Sequence, residues 1–420
     1  MIIIVGAGLA GLACATRLEE AGVDWLLLEA STKPGGRVAT EITVEGYRLD
    51  RGFQVLLDSY PTARRLLDIE ALHPSYFDSG ALLINRDPAG NVECSRFLNP
   101  LAHPNHALGS LLSPAFSWSE KLSLAAHALV QILTPDGWLL KNETGHSTIE
   151  ELHRLGLDGG MRKRFLKPFF SGVFLENKLE TEASIFRYDL KKFALGRALL
   201  PAQGMGAIPR QLASRLPVAR QKYGTKVTAL HRKGDRFTGV TLADGSEMEC
   251  DELVLATDEQ ATRFLLGLPP GRDWHAVTTL YFTGESPLYE GGLIVLPSCD
   301  NGHVSHFCDL TNITADYAPH GRRLLSATLL NPQAVDFQKL VSLVQAEIAS
   351  LLPAFADWEF LKEISIPRAL PPRLPGYGKD LMATRFAPNL SLAGDQIGPV
   401  SIEAALSSGL DVAVSLLENS

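Results

Sequence analysis

Basic charge is scarce in this chain, and so are cysteine and long apolar runs. The 420 residues carry 39 Lys+Arg against 47 Asp+Glu, a formal net charge of −8, and no block of five consecutive basic residues occurs. A nucleic-acid surface or a polybasic membrane anchor needs the opposite balance, which excludes both classes. No uninterrupted apolar run approaches the roughly 18–20 residues that span a bilayer. The cysteines (Cys14, Cys94, Cys250, Cys299, Cys308) are odd in number and hold no CxxC pair. They read as reduced thiols of a cytoplasmic protein. Met1 is followed by Ile2–Val5 and a glycine turn, a buried strand and not a signal peptide. Apolar residues make up 45% of the chain, enough for a large core, and the length predicts two or three domains at roughly 100–200 residues each.

Three stretches read as α/β and two others separate them. Residues 1–72 begin strand–turn–helix–strand. Residues 196–260 run from a helix at Ile208–Leu216 through Lys226–Leu230 and a hairpin at Ala243-Asp244-Gly245 to the strand Glu252–Ala256. Residues 385–420 pass from the strand Leu390–Ala393 through a Gly-rich turn into a closing helix. Between them, 73–195 reads as mainly helical. Ser117-x-x-Glu120 is a capping box that opens an apolar-striped helix, and Thr148-x-x-Glu151 opens another that closes at Gly156. Residues 261–384 mix strands with a helix near 336–352, and Pro367, Pro371, Pro372 and Pro375 mark a rigid connector. The pattern predicts one nucleotide-binding domain in three pieces (1–72, 196–260, 385–420) with a second domain inserted twice (73–195, 261–384).

Gly6-Ala7-Gly8-Leu9-Ala10-Gly11 follows a strand and opens a helix. The first glycine permits the turn, the second lets pyrophosphate approach, and the third lets helix and strand pack closely. The helix start offers unpaired N–H groups to phosphate. Glu29 ends the second strand, 18 residues after Gly11, where a carboxylate accepts ribose hydroxyls and repels a 2′-phosphate. A second glycine cluster follows: Gly35-Gly36-Arg37, then Gly46, Asp50, Gly52 and Phe53. Paired glycines let a long flat ligand lie on the backbone, and Arg37 can neutralise phosphate.

This stretch resembles the second glycine motif of the flavin-containing amine oxidase, protoporphyrinogen oxidase and phytoene desaturase superfamily. Leu390-Ser-Leu-Ala-Gly394-Asp395 followed by Ser401-Ile402-Glu-Ala-Ala-Leu-Ser-Ser-Gly409 resembles its closing motif. The resemblance spans the chain and implies an α/β, Rossmann-like GxGxxG FAD domain with a discontinuous α+β substrate domain. In such a fold Asp395 meets the ribityl chain, Val227 meets adenine, and the helix at Ile402 points its start at the flavin, where it stabilises charge on reduction. FAD is the implied cofactor, held without a covalent bond, since no Cys lies between 309 and 420.

The chain departs from the amine-oxidase pattern in four respects. Ser31 replaces an arginine near the adenosine, and Ala404 replaces a glycine of the closing helix. No Lys occurs from 234 to 338, the segment that supplies the oxygen-activating lysine of family oxidases. No aromatic ring occurs from Asp395 to Ser401. The reading is therefore an oxidoreductase removing hydride from an organic, apolar substrate, with a quinone or other acceptor favoured over oxygen. The alternatives are an amine oxidase releasing hydrogen peroxide and a non-catalytic lipid-carrier escort of the same fold. Gln54 is the candidate for the flavin's substrate edge, with Tyr281 and Arg368 as candidates for orienting substrate. No metal site is read: His303-x-x-His306 with Cys308 and Asp309 alternates as a strand, and His103-x-x-His106 flanks a proline. Lys163, Arg164 and Lys167 read as a solvated helix face. The apolar stretch Ala107–Trp138 either packs on the second domain or lines a substrate entrance that dips into a membrane surface.

Overall fold

A computed structural model describes residues 1–86, 90–102, 116–297, 302–330 and 336–418; His103, His106, Cys299 and residues 107–115 lie outside the described residues. Two sheets organise the chain. The first has six strands in the order Gln221–Lys222, Trp25–Leu28, Ile2–Val5, Glu252–Leu255, Leu390–Leu392, Arg385–Ala387. The first five are parallel and the last is antiparallel. Ile2–Val5 sits centrally and is buried on both faces, as its unbroken apolar run requires. Ile4 and Leu27 pack under the first helix, Leu9–Glu20, and the closing helix, Ile402–Glu418. Ile3, Val5 and Leu253 face the strands Val227–Lys233 and Arg236–Leu242.

The second sheet has seven strands in the order Glu359–Leu370, His275–Gly284, Arg323–Leu330, His306–Asp309, Ile294–Pro297, Gly80–Arg86, Val92–Leu98. Side-chain alternation gives it two faces. Leu280, Phe282, Leu325, Ala327 and Phe307 pack on the helix Phe337–Leu351 through Val344 and Ile348. The opposite face carries Thr279, Tyr281, Ser326, Thr328 and His306, aligned by register across three strands. Asp50 ties this face to the glycine-rich half. It is buried and accepts hydrogen bonds from Thr40 Oγ1, the Met205 N–H at 2.9 Å and Tyr317 Oη at 2.7 Å. Burial pushes its carboxyl up to about 6, against the lowering effect of these donors.

Three expectations need correction. Residues 73–195 are not mainly helical at their start, because Gly80–Arg86 and Val92–Leu98 form a hairpin at the sheet edge. The charged alternation of Val92–Leu98 hid a strand whose outer face is solvated. The helix Thr148–Arg154 is capped by Ser147 with Glu150, not by Thr148 with Glu151; Glu151 instead turns inward to His146 and Arg187. Pro367 lies within a strand, not in a connector. That strand is at the sheet edge, and the register shifts between Val277↔Ile366 and His275↔Leu370, so the missing N–H falls in a bulge.

Candidate active site

The six-stranded sheet opens at its strand ends onto one cavity of about 1830 Å³ that continues to the second sheet. Typical small-ligand sites hold roughly 300–1,000 Å³, so this space exceeds what one small ligand needs. At its deep end lie Gly6, Gly8, Leu9, Ala10, Glu29, Gly35, Gly36, Arg37 and Val227. A Cβ placed on Gly8 would meet nothing within 4 Å, while one on Gly11 would fall 1.9 Å from the Gly6 carbonyl oxygen. Gly8 thus faces ligand space, and Gly11, which does not line the cavity, closes helix onto strand. Glu29 accepts the Ala7 N–H at 2.7 Å and the Ser31 N–H and hydroxyl at 2.8 and 2.7 Å. The carboxylate is therefore fixed at the end of its strand, and Ser31 serves as its clamp.

Gly52, Phe53, Gln54, Gly394, Asp395 and Ile402 line the middle of the same cavity. Asp395 is buried and paired with the Arg37 guanidinium, which also donates to the Ala369 carbonyl at 2.9 Å. Arg37 is thereby held by a carboxylate as well as facing ligand space. Gln54 spends its amide N–H groups on the Arg37 and Arg51 carbonyls at 3.0 and 2.9 Å, which makes it a strut of this loop. Arg368 lines the cavity at an exposed position. Tyr281 does not line it: the ring is 1% exposed and its hydroxyl donates to the Asp50 carbonyl at 2.7 Å. Orienting substrate is thus closed to Tyr281, because its polar atom is consumed in the core.

The outer half is apolar. Phe97, Phe165, Phe169, Phe170 and Phe193 line it and interlock, with Phe97–Phe165 centroids at 4.7 Å and Phe169–Phe193 at 4.9 Å. Leu124, Ala125, Ala128 and Ile132 of the helix Trp118–Leu133 close the mouth. This helix buries Glu120, His127 and Gln131, while Leu122, Leu129, Val130 and Leu133 are 58–76% exposed. Lys163 and Lys167 are exposed on the neighbouring helix, as a solvated face requires.

Two more polar groups stand in this wall: His306, read from the sequence only as a strand residue, and Asp189, which the sequence reading did not single out. His306 lies on the second sheet, edge-on to Phe53 at 5.0 Å, with neither ring nitrogen hydrogen-bonded. Burial lowers its pKa to about 4 and keeps it neutral. Asp189, on the helix Ala183–Leu195, also lines the cavity, and burial pushes its carboxyl up to about 7. A lone Asp in an amphipathic helix carries no local signal of where it points. Among the described residues no group of three metal-ligating side chains occurs.

A glycine-lined cradle continuous with an aromatic chamber fits a flavin-dependent oxidoreductase, where cofactor and organic substrate must touch. Residues 9–417 match the family described as flavin containing amine oxidoreductase, and the chain belongs to that family. Phytoene dehydrogenase of Streptomyces griseus is 29% identical over 299 residues, covering 64% of this chain and 57% of the relative. Hydroxyneurosporene desaturase of Cereibacter sphaeroides is 29% identical over 295 residues, covering 62% and 56%. The matched region thus spans little more than half the length of these relatives. An oxidoreductase of Methanosarcina mazei has the same fold, with a TM-score of 0.73 at 17% identity over 99% of both chains.

Proposed function

We propose that the protein is an FAD-dependent dehydrogenase of the desaturase type, acting on an extended apolar substrate. The observation that carries this is the continuity of the glycine cradle with the phenylalanine chamber in one cavity. When bound, the flavin supplies a two-electron acceptor for hydride. The glycine turn and the start of the first helix hold pyrophosphate, Glu29 the adenosine ribose, and the Asp395 region the ribityl chain. The phenylalanine wall orients the substrate and excludes water. Among the described residues no cysteine lines the cavity, which supports non-covalent FAD. The chain divides into an FAD domain (1–72, 196–260, 385–420) and a substrate domain (73–195, 261–384), the six-stranded sheet drawing its strands from the first set and the seven-stranded sheet from the second.

The acceptor is a quinone or similar carrier. Lys121 and Lys226 are the lysines lining the cavity, and neither is on the second sheet. Within 234–338, Arg263 lines the cavity but is paired with Glu259, and Arg272, Arg322 and Arg323 are each paired with a carboxylate. No helix among the described residues is long and apolar enough to cross a membrane; the exposed apolar face of Trp118–Leu133 supports contact with a lipid surface at the cavity mouth.

Anaerobic mixing of the flavin-loaded protein with detergent-dispersed phytoene, hydroxyneurosporene and a series of alkylamines tests the reading. Bleaching of the flavin by a polyene and not by amines is the expected result. Bleaching by an amine, with peroxide in air, establishes the amine-oxidase alternative instead. Protein that purifies colourless and takes up no FAD establishes the escort alternative.

A further inference from the structure

Five carboxylates line the cavity among the described residues: Glu29, Asp78, Asp189, Asp258 and Asp395. Four are occupied. Glu29 accepts from the Ala7 N–H and Asp78 from the Gly292 N–H at 2.9 Å; Asp258 caps the Ala261 N–H at 2.9 Å, and Asp395 pairs with Arg37. Among the described residues Asp189 has neither a hydrogen bond nor an ion pair, although it is only 9% exposed. It shares its helix face with Phe193, one turn on, and so belongs to the apolar chamber and not to the dinucleotide cradle. Its charge reaches Tyr60, another wall residue, which also feels Glu403 at the start of the closing helix. Asp189 and the start of the closing helix thus both lie near Tyr60 in the cavity wall.

We propose that Asp189 is the general base of the reaction, taking the proton from the carbon adjacent to the one that gives up hydride. The inference rests on the desaturase reading above. One C–H bond breaks with its electron pair, and the hydride goes to the bound flavin. The neighbouring C–H bond gives its proton to the Asp189 carboxylate, and its electron pair becomes the second carbon–carbon bond. The substrate loses two electrons, the flavin gains them, and the proton leaves on the aspartic acid. Desolvation without a stabilising partner suits the task, since a base that titrates near the working pH transfers protons with the best compromise of population and driving force. A fold that leaves a buried carboxyl unpaired sacrifices stability for it, which is typical of reacting groups.

The titrating surroundings are Tyr60, Tyr188 of the same helix and Glu403, with Asp136 beyond them paired to Lys191 and Lys192. Glu403 is held by the Thr62 and Ala63 N–H groups at 2.8 and 3.0 Å.

The test compares flavin-loaded wild type with Asp189→Asn. In pH-difference infrared spectra, wild type should show a carboxylic acid that ionises near neutral pH, and the variant should lack it. Raising the pH through that transition should lower the wild-type melting temperature relative to the variant, because the native state holds the proton that the unfolded chain releases. Anaerobic reduction by phytoene should slow by about 10²–10⁴-fold in the variant, with the phytoene dissociation constant within about threefold of wild type. Asp189→Glu should recover part of the rate. If Asp189→Asn reduces as fast as wild type, or if no carboxyl titrates there, the inference falls while the desaturase reading stands. If phytoene fails to bleach even the wild type, the reading fails and takes the inference with it.

Discussion

A valine at Gly8 would project into space that no protein atom fills, whereas at Gly11 it would collide with backbone. Gly8→Val should therefore fold, purify colourless and melt with flavin-free wild type, while Gly11→Val should not fold; flavin absorbance and circular dichroism separate the two. Glu29→Ala removes a charged acceptor and should weaken FAD by about 1–3 kcal/mol, measured by titrating apoprotein. His306 gives a pH signature of its own. Its pKa of about 4 lies below the ~6.5 of the unfolded chain, so its contribution is present above pH ~6.5 and is lost as the pH falls toward 4. Between pH 7 and 4.5, wild type should lose about 2 kcal/mol more than His306→Gln in chemical denaturation. The glycines and Glu29 were legible in the sequence because their constraint is local, a turn or a strand end. Asp189 and His306 were not, because what singles them out is the absence of a partner, and that is known only once the surrounding elements are packed.

The helix Trp118–Leu133 shows how far an amphipathic pattern can mislead. Its Ser117–Glu120 capping box is present as read, with Glu120 Oε1 also accepting the Met161 N–H at 3.0 Å. The apolar stripe through Leu122, Leu129, Val130 and Leu133 then suggests a core face, yet that side is largely in solvent and the polar side is covered. Glu120, His127 and Gln131 are buried because the neighbouring elements offer them partners or neighbours, among them the Met161 backbone and Glu151. Moving each exposed leucine into lipid is worth roughly 1.5–3 kcal/mol. The triple variant Leu122→Gln/Leu129→Gln/Leu133→Gln should thus lose at least tenfold in vesicle co-sedimentation with no change in melting temperature. Equal sedimentation of variant and wild type would remove the helix from any membrane contact. The missed hairpin at Gly80–Leu98 has a related cause, since its outer strand alternates with charge and carries no apolar run.

The two sheets meet across a single cavity, and this sets the fate of the electrons. Lys362 of the second sheet is paired with Glu41 and does not line the cavity, so that sheet brings no lysine there to favour charge developing on oxygen, and Arg368 is the cation it places in the lining. Photoreduced enzyme should reoxidise slowly in aerated buffer and faster with a quinone, measured by stopped-flow absorbance; rapid reoxidation with stoichiometric peroxide would reverse that order. That distant stretches share the six-stranded sheet was legible because their strand and turn motifs sit at widely separated places in the chain. The cavity itself was not, since it belongs to neither half alone. The first helix is finished only when Gly409 of the last packs on it, where an added Cβ would fall 2.0 Å from the Ala10 carbonyl oxygen. The central strand Ile2–Val5 likewise waits for Glu252–Leu255 as its neighbour. In the growing chain, therefore, Ile2–Val5 has Trp25–Leu28 as a strand partner early, but its second neighbour and the helix that covers Leu9–Glu20 come only hundreds of residues later. Stalled chains that end before residue 385 should be unable to retain flavin, and acquisition of the cofactor becomes an event that waits for the closing helix.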